Sequence, residues 1–343
     1  MSSTALVHLA IPIRNVETWL DAALKSLHLQ SEARWTATIV DDDSDDDSPA
    51  IAQAWVDRDP RMRFQQPGRV GLPAALNLAA ADRHDAPFFA RFDGDDICHP
   101  RRLEKQLAFF SKNPEVEVLD SRFSLQDGGP PPNQGMKRYQ RWHDSIETNE
   151  DFEREFLVEN PVCHPASMVR ASALERLDSG PSAPYRDGDF PEDYDLWLRL
   201  KRQGARFHKL PERLVLWRDR PDRTTRRNPA YRKEAFFQLK WDHIQQSQLV
   251  TGRRTAVWGA KKGGKPWIRA LCQHGAPPVA VVDIDPKAVG GLRHGVPVIS
   301  PEDLPAHSPE VVLVAVGAPG ARSLIEKQLD KMMLPSIPLT GLC

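Results

Sequence analysis

Three apolar runs near the start of the chain end alike. "LVHLAIPI" runs into Arg14 and Asn15, "WTATIV" into Asp41 and Asp42, and "APFFARF" into Asp93, Asp95 and Asp96. Each run has strand length. The segments between them, "VETWLDAALKSLHLQ", "SPAIAQAWVDR" (opened by Ser48 and Pro49) and "GLPAALNLAAAD", carry helical periodicity. Strands alternating with helices predict a parallel sheet covered by helices. Ligands of such sheets lie beyond the carboxyl ends of the strands. Polar strand ends gathered on one edge therefore define a candidate site.

The chain has 343 residues, long enough for two domains. Its 46 basic residues balance 47 acidic ones, so no global attraction to nucleic acid is expected. The 30 prolines predict many loops. "MSSTALVHLAIPIRN" lacks the basic start and long apolar stretch of a signal peptide. No segment has the apolar length of a transmembrane span. Cys98, Cys163, Cys272 and Cys343 show no metal-ligand spacing, which predicts reduced thiols and a cytoplasmic setting.

The turn "FDGDD" is the densest of the strand ends. Like charges this close repel, so a chain keeps them where a cation holds them, where donors cap them, or where they face open solvent. A divalent cation bridged to a diphosphate uses hard carboxylate oxygens of this kind, and Gly94 lets the turn tighten so that both flanking carboxylates face one point. A solvated turn or an N-cap is the alternative, because Pro100 starts the helix "PRRLEKQLAFF". In "VDDDSDDDS", Asp46 to Ser48 read as a solvated loop and helix cap. Asp41 and Asp42 stand nearer the strand end, where a carboxylate accepts from a base N–H or a ribose hydroxyl.

"DFPEDYDLWLRLKRQG" is the strongest helix. Pro191 starts it, Glu192, Asp193 and Asp195 fill its first turn, and Gly204 ends it. Leu196, Trp197, Leu198 and Leu200 predict burial on more than one face. The first-turn acids supply a base, or are simply favourable dipole placement. "DGGPPPNQG" reads as a turn-rich insertion and "ENPVCHPASMVRASALERL" as a strand running into a helix. "ERLVLWRDRPDRTTRRNPAYRK" carries Arg213, Arg218, Arg220, Arg223, Arg226 and Arg227. It reads as a basic loop that closes over a diphosphate or meets a phospholipid-linked acceptor, or as a solvated face.

In order and spacing, "IPIRNVETWLDAALKSLHLQ", "IVDDDSDDDS", "GLPAALN", "ARFDGDDICHPRRLEKQ", "NPVCHPASMVR" and "PEDYDLWLRL" resemble the inverting family 2 glycosyltransferases of GT-A fold, over roughly residues 5 to 225. The resemblance implies a mixed α/β sheet flanked by helices that binds a nucleoside diphosphate sugar, UDP-sugar favoured. It implies transfer with inversion to a hydroxyl of a glycan or lipid-linked acceptor in bacterial surface glycan synthesis, in the cytoplasm or peripherally at the inner face of the membrane. Asp42 would bind the nucleobase with Glu17 near it, and Pro12, Arg14 and Arg91 would line the donor nucleotide. Asp93 would contact ribose and metal, Asp95 would coordinate Mn²⁺ or Mg²⁺, and Asp193 would be the catalytic base. His164, Glu192, Trp197 and Arg218 are the expected acceptor or donor contacts, with a structural role as the alternative for His164. Two positions depart from the pattern. Arg14 stands where an aromatic usually stacks on the base, and Asp43 stands at the glycine of V-D-D-G-S.

Near "SQLVTGRRTAVWGAKKGG" the alternation restarts. Residues 1-250 are expected to form the GT-A domain and 251-343 a small Rossmann-like domain. "VWGAKKGGKPW" is nearly G-x-G-x-x-G, with Lys261 at the middle glycine, and nearly a P-loop, with Pro266 replacing the metal-binding hydroxyl. Lys261, Lys262 and Lys265 at a helix N-terminus would attract an anion, and Asp283 is placed like an acid that holds a ribose. A degenerate docking or regulatory domain is the alternative. Competing readings of the whole chain are a sugar nucleotidyltransferase, which needs no base at "PEDYD", and a non-catalytic nucleotide-sugar-binding regulator. A dehydrogenase acting through the second domain is disfavoured by Lys261.

Overall fold

The alternating segments fold as β1 (Val7–Ile13), α1 (Glu17–His28), β2 (Trp35–Asp41), α2 (Ser48–Arg58), β3 (Met62–Gln65), α3 (Leu72–Ala81) and β4 (Phe88–Arg91). The structure, a computed structural model, describes residues 5–127, 134–220, 228–318 and 320–340. These strands lie in the order β3-β2-β1-β4 and are all parallel. β1 is buried almost throughout, as a central strand with both faces covered must be. α1 buries Leu20, Ala23, Leu24 and Leu27 on one stripe, in the same core as Leu9, Ile11 and Ile39.

An antiparallel half follows. β5 (Ile97–Cys98) and α4 (Arg102–Lys112) lead into β6 (Val118–Asp127), α5 (Gln134–His143) and α6 (Asn149–Glu155). Next come β7 (Met168–Arg170), α7 (Ala171–Glu175), α8 (Glu192–Arg202), β8 (Phe207–Asp219) and α9 (Lys233–Gln246). β7 runs antiparallel to both β4 and β6, β6 and β8 are parallel, and β5 caps the edge. Among the described residues this is a mixed sheet of order β3-β2-β1-β4-β7-β6-β8-β5. β8 corrects the basic-loop expectation. "LVLW" pairs with β6, so Arg213 and Arg218 lie in a strand and Arg220 just beyond its end. Arg223, Arg226, Arg227 and most of "DGGPPPNQG" lie outside the described residues. Among the described residues, no helix is long and apolar enough to cross a membrane.

The chain divides into two units, Met1–Phe152 with Pro161–Leu239, and Glu153–Asn160 with Lys240–Cys343. The division between Leu239 and Lys240 falls inside α9, ahead of the boundary expected at residue 250, and a short earlier segment joins the second unit. The reason is local pairing within that unit. Lys240 Nζ donates to the Val158 carbonyl at 2.9 Å, and Arg322 forms two 2.8 Å bonds to the Glu155 carboxylate.

The second unit contains β9 (Thr255–Trp258), α10 (Lys265–Gln273), β10 (Ala280–Val282), β11 (Leu292–Arg293), β12 (Val296–Ile299), β13 (Val311–Val314), α11 (Ala321–Lys331) and β14 (Ser336–Pro338). Its sheet order is β11-β12-β10-β9-β13-β14, with the last five strands parallel. The glycines after β9 serve packing. A Cβ on Gly264 would overlap the Gly259 carbonyl oxygen, and one on Gly263 that of Ala315. Lys261 pairs with Asp285 at 2.8 Å. The Asp283 carboxylate accepts from the N–H groups of Ala260 at 2.9 Å and Asp285 at 3.0 Å, so it organises its own loop.

Two turn residues in the first unit answer questions raised by the sequence. Asp43 has φ +65°, the left-handed conformation a glycine would take there, and Asp tolerates it better than most residues. Gly94 is needed for space: an added Cβ would stand 2.7 Å from Ile13 Cγ2 and 3.3 Å from Leu20 Cδ1. Both neighbours are core side chains with little room to shift. Gly94→Ala should therefore lower unfolding free energy by about 1–3 kcal/mol, whereas Asp43→Gly should change it by less than about 1 kcal/mol. Urea melts of the two proteins provide the comparison.

Candidate active site

The carboxyl edge of the parallel strands gathers the first group of expected residues. Ile13 and Asp41 are partners across β1 and β2, and the Asp42 N–H donates to the Ile13 carbonyl at 2.9 Å. Asp42 is buried, and its Oδ1 accepts from the backbone N–H groups of Val70 at 2.7 Å and Gly71 at 2.6 Å. Its Oδ2 meets Arg69 Nε at 3.2 Å. Asp42 thus shapes the loop before α3, and its Oδ2 side is what it can present to a ligand. Glu17 Oε2 accepts from the Asp47 N–H at 2.9 Å, and Asp46 accepts from the N–H groups of Glu17 at 3.0 Å and Ser48 at 2.9 Å. Glu17 and Asp46 therefore cap the starts of α1 and α2 reciprocally. Pro12 is half-buried opposite Val40, and Arg14 is exposed just past the end of β1.

The acidic turn after β4 closes on itself. One carboxylate oxygen each from Asp93, Asp95 and Asp96 lies within 4.8 Å of the others. Asp96, grouped with the other two in the sequence but given no metal role, is fully buried and its Oδ1 accepts from the Arg218 N–H at 2.9 Å. Arginines offset the remaining charge. Arg91 Nε donates to Asp93 at 2.7 Å, Arg220 Nε to Asp95 Oδ2 at 2.7 Å, and Arg218 Nη1 to the Asp95 carbonyl at 2.6 Å. The Arg220 guanidinium also lies 4.4 Å from the Trp19 ring centroid. Converging hard oxygens on a tight turn fit Mg²⁺ or Mn²⁺.

A second group stands behind Arg91. Its Nη1 donates to His164 Nδ1 at 2.5 Å and to Glu192 Oε1 at 3.2 Å. A guanidinium has no acceptor, so His164 Nδ1 accepts, and Nε2–H donates to the Tyr185 hydroxyl at 2.8 Å. Burial, reinforced by Arg91, holds the His164 pKa well below the usual histidine value, which keeps the ring neutral. Burial alone would pull the Arg91 pKa down, but Asp93 and Glu192 outweigh it and raise it. Asn77 clamps the backbone of Tyr185 from both sides, at 2.8 and 3.0 Å. Tyr231 donates its hydroxyl to Glu192 Oε2 at 2.5 Å, and burial beside that carboxylate raises its pKa.

These contacts sort the expected site residues. Arg91, Asp93, Asp95, Glu192, His164 and Arg218 form one continuous network around the acidic turn. Asp193 is half-buried in the first turn of α8, and its Oδ1 accepts from the Tyr194 N–H at 2.7 Å. Trp197, only 1% exposed, packs edge-on against His164 at 5.4 Å. His164 itself is 4% exposed. Tyr185, Tyr231 and Asn77 were missed, because nothing in their local sequence distinguishes them from loop or helix residues.

The mixed α/β sheet flanked by helices is that of the GT-A glycosyltransferase fold. The profile of Glycosyl transferase family 2 matches residues 9–178. Over 234 residues the chain is 31% identical to EpsE of Bacillus subtilis (strain 168), itself assigned as a glycosyltransferase, covering 67% of this chain and 79% of that protein. It is 29% identical over 209 residues to the amylovoran biosynthesis glycosyltransferase AmsE of Erwinia amylovora, covering 61% of this chain and 73% of AmsE. S. aureus TarS 1-349, crystallised in complex with UDP-GlcNAc, shares the fold with a TM-score of 0.51 over 69% of this chain and 66% of that one, at 16% sequence identity. The chain belongs to glycosyl transferase family 2.

The neutral His164 makes stability depend on pH with a definite sign. Its folded pKa lies below the unfolded value of 6.5, so below about pH 6.5 the unfolded chain gains a proton that the folded one refuses. Stability should fall as pH drops from 6.5, with His8, lowered to about 4 by burial, adding to the slope. His164→Gln should flatten that slope by about 1.4 kcal/mol per pH unit, measured by urea melts between neutrality and the onset of acid unfolding.

Proposed function

We propose that this glycosyltransferase is metal-dependent and inverting, and moves a sugar from a nucleoside diphosphate, UDP favoured, to an acceptor hydroxyl in bacterial surface glycan synthesis. The supporting observation is the position of one guanidinium. Arg91 touches Asp93 of the acidic turn and Glu192, the neighbour of Asp193, so the donor side and the proton-accepting side share a single half-buried cation. AmsE, a relative named for polysaccharide biosynthesis, supports the glycan reading, and the TarS complex with UDP-GlcNAc supports the choice of nucleotide.

In this reading Asp93 and Asp95, backed by Asp96, hold Mn²⁺ or Mg²⁺. When bound, the cation supplies Lewis-acid stabilisation of the leaving nucleoside diphosphate. Asp42 Oδ2 and Arg14 face the nucleobase, and Pro12 and Glu17 shape that end of the pocket. Arg218 and Arg220 border the diphosphate. Asp193 accepts the proton of the acceptor hydroxyl while that oxygen attacks the anomeric carbon from the face opposite the leaving group. A carboxylate beside a helix N-terminus is a weak base in water, so acceptor binding must desolvate it. The acceptor is a glycan or a lipid-linked carrier met in the cytoplasm or at the inner face of the membrane. The second unit is read as a docking or regulatory domain, because Asp283 is engaged by its own loop.

Donor turnover tests this reading. Nucleotide release should depend on Mn²⁺ or Mg²⁺, stop in EDTA, and vanish in Asp95→Ala. Asp193→Asn should lose about 10²–10⁴-fold in transfer with nucleotide affinity retained. Full sugar transfer by Asp193→Asn would instead refute the role of Asp193 as the base.

A further inference from the structure

Residues 161–167 carry His164 to the site as an irregular segment with a single 3₁₀ turn, His164–Ala166, and they are buried throughout. Buried backbone groups outside regular structure must find partners elsewhere. The turn itself pairs the Ala166 N–H with the Cys163 carbonyl and the Ser167 N–H with the His164 carbonyl, and side chains meet other groups. Lys209 Nζ donates to the Pro161 carbonyl at 3.1 Å, and Asp120 Oδ2 accepts from the Cys163 N–H at 3.1 Å. Gln106 Nε2 donates to the Ala166 carbonyl at 2.9 Å, and Arg102 Nη2 to the Ser167 carbonyl at 3.1 Å. All four side chains belong to fully buried residues.

Asp120 is the hub of this set. Its Oδ2 also accepts from His143 Nε2 at 2.7 Å and lies 3.6 Å from Lys209 Nζ, while Lys209 donates to the His143 carbonyl at 2.8 Å. Burial lowers the Lys209 pKa to about 8, against the pull of Asp120. Buried ion pairs are seldom more stabilising than apolar residues of the same volume, so stability does not account for this one. Geometry does. Cys163, held through its N–H, opens the turn whose first residue, His164, meets Arg91 at 2.5 Å. Arg102 Nη2 in turn donates to the Arg91 carbonyl at 3.0 Å.

We propose that Asp120 is a positioning residue: it sets the 163–166 turn and, through His164, aims the Arg91 guanidinium between Asp93 and Glu192. The kinetic consequence rests on the transferase reading above; the geometric one does not. Asp120→Asn weakens the hub while keeping an acceptor oxygen, and Asp120→Asn with Lys209→Met removes the lysine charge left unpaired, so that a folded variant is at hand. In protein labelled with ¹⁵N-arginine, the Arg91 Nε–H resonance, assigned by its loss in Arg91→Lys, should shift or broaden in both variants. Nucleotide dissociation constants should stay within about twofold and kcat should fall on the order of tenfold to a hundredfold. In an Arg91→Lys background the Asp120 change should cost nothing further. An unchanged Arg91 resonance, or losses that add in the double variant, overturns the proposal. Failure of the wild-type chain to turn over any donor would refute the transferase reading and leave the resonance to decide this one.

Discussion

A guanidinium largely withdrawn from water needs compensation on every side, and Arg91, its side chain 11% exposed, shows what that demand does to a site. Asp93 and Glu192 supply the charge, and His164 must stay neutral to approach at 2.5 Å. Leaving any one of these out would strand a desolvated cation, which costs far more than the pair gains. The same logic explains the acidic turn. Its three carboxylates converge because Arg91, Arg218 and Arg220 reach them from different elements, a side-chain and backbone solution to repulsion that a bound divalent cation would complete. Donors cap the cluster, and the cluster can still hold a cation, so the first two explanations suggested by the sequence are compatible.

This arrangement ties distant segments into one object. The end of β4 supplies Arg91 and the acids, the 163–166 turn supplies His164, α8 supplies Glu192 and Asp193, and the start of the segment before α9 supplies Tyr231. Asn77 of α3 fixes Tyr185, whose hydroxyl orients the other nitrogen of His164. Neutral side chains thus join charged ones in holding the arrangement: Asn77, Tyr185 and His164 act beside the buried Asp96 and Glu192. Preorganisation of this kind lowers the reorganisation needed when charge shifts in a reaction.

How much of this was legible depended on range. The parallel strands, their helices and the acidic strand ends could be read because period and turn chemistry are local: "VETWLDAALKSLHLQ" can bury Leu20, Leu24 and Leu27 only as a helix. The family resemblance rested on the same local motifs. β3 escaped because "MRFQ" is a short strand at the sheet edge with mixed polarity, and β8 because its arginines masked an apolar run that pairs with β6. Asp43 showed that an aspartate can occupy a glycine's left-handed turn, which the residue pattern alone left in doubt. Tyr185, Tyr231, Asn77 and the Asp120–His143–Lys209 cluster were invisible because each acts through tertiary contacts across tens of residues. In the second unit the near-motifs depart from a phosphate loop at Lys261 and Pro266, and the structure packs Gly263 and Gly264 against backbone carbonyls while Asp283 accepts from its own loop.

The most direct test of the account is calorimetric titration of UDP into the wild-type protein and into Asp95→Ala, each with and without Mn²⁺. The account predicts that Mn²⁺ tightens UDP binding to the wild-type chain and has no effect on Asp95→Ala. Equal UDP affinity with and without Mn²⁺ in the wild-type chain would contradict the claim that the acidic turn is a cation-bridged diphosphate site.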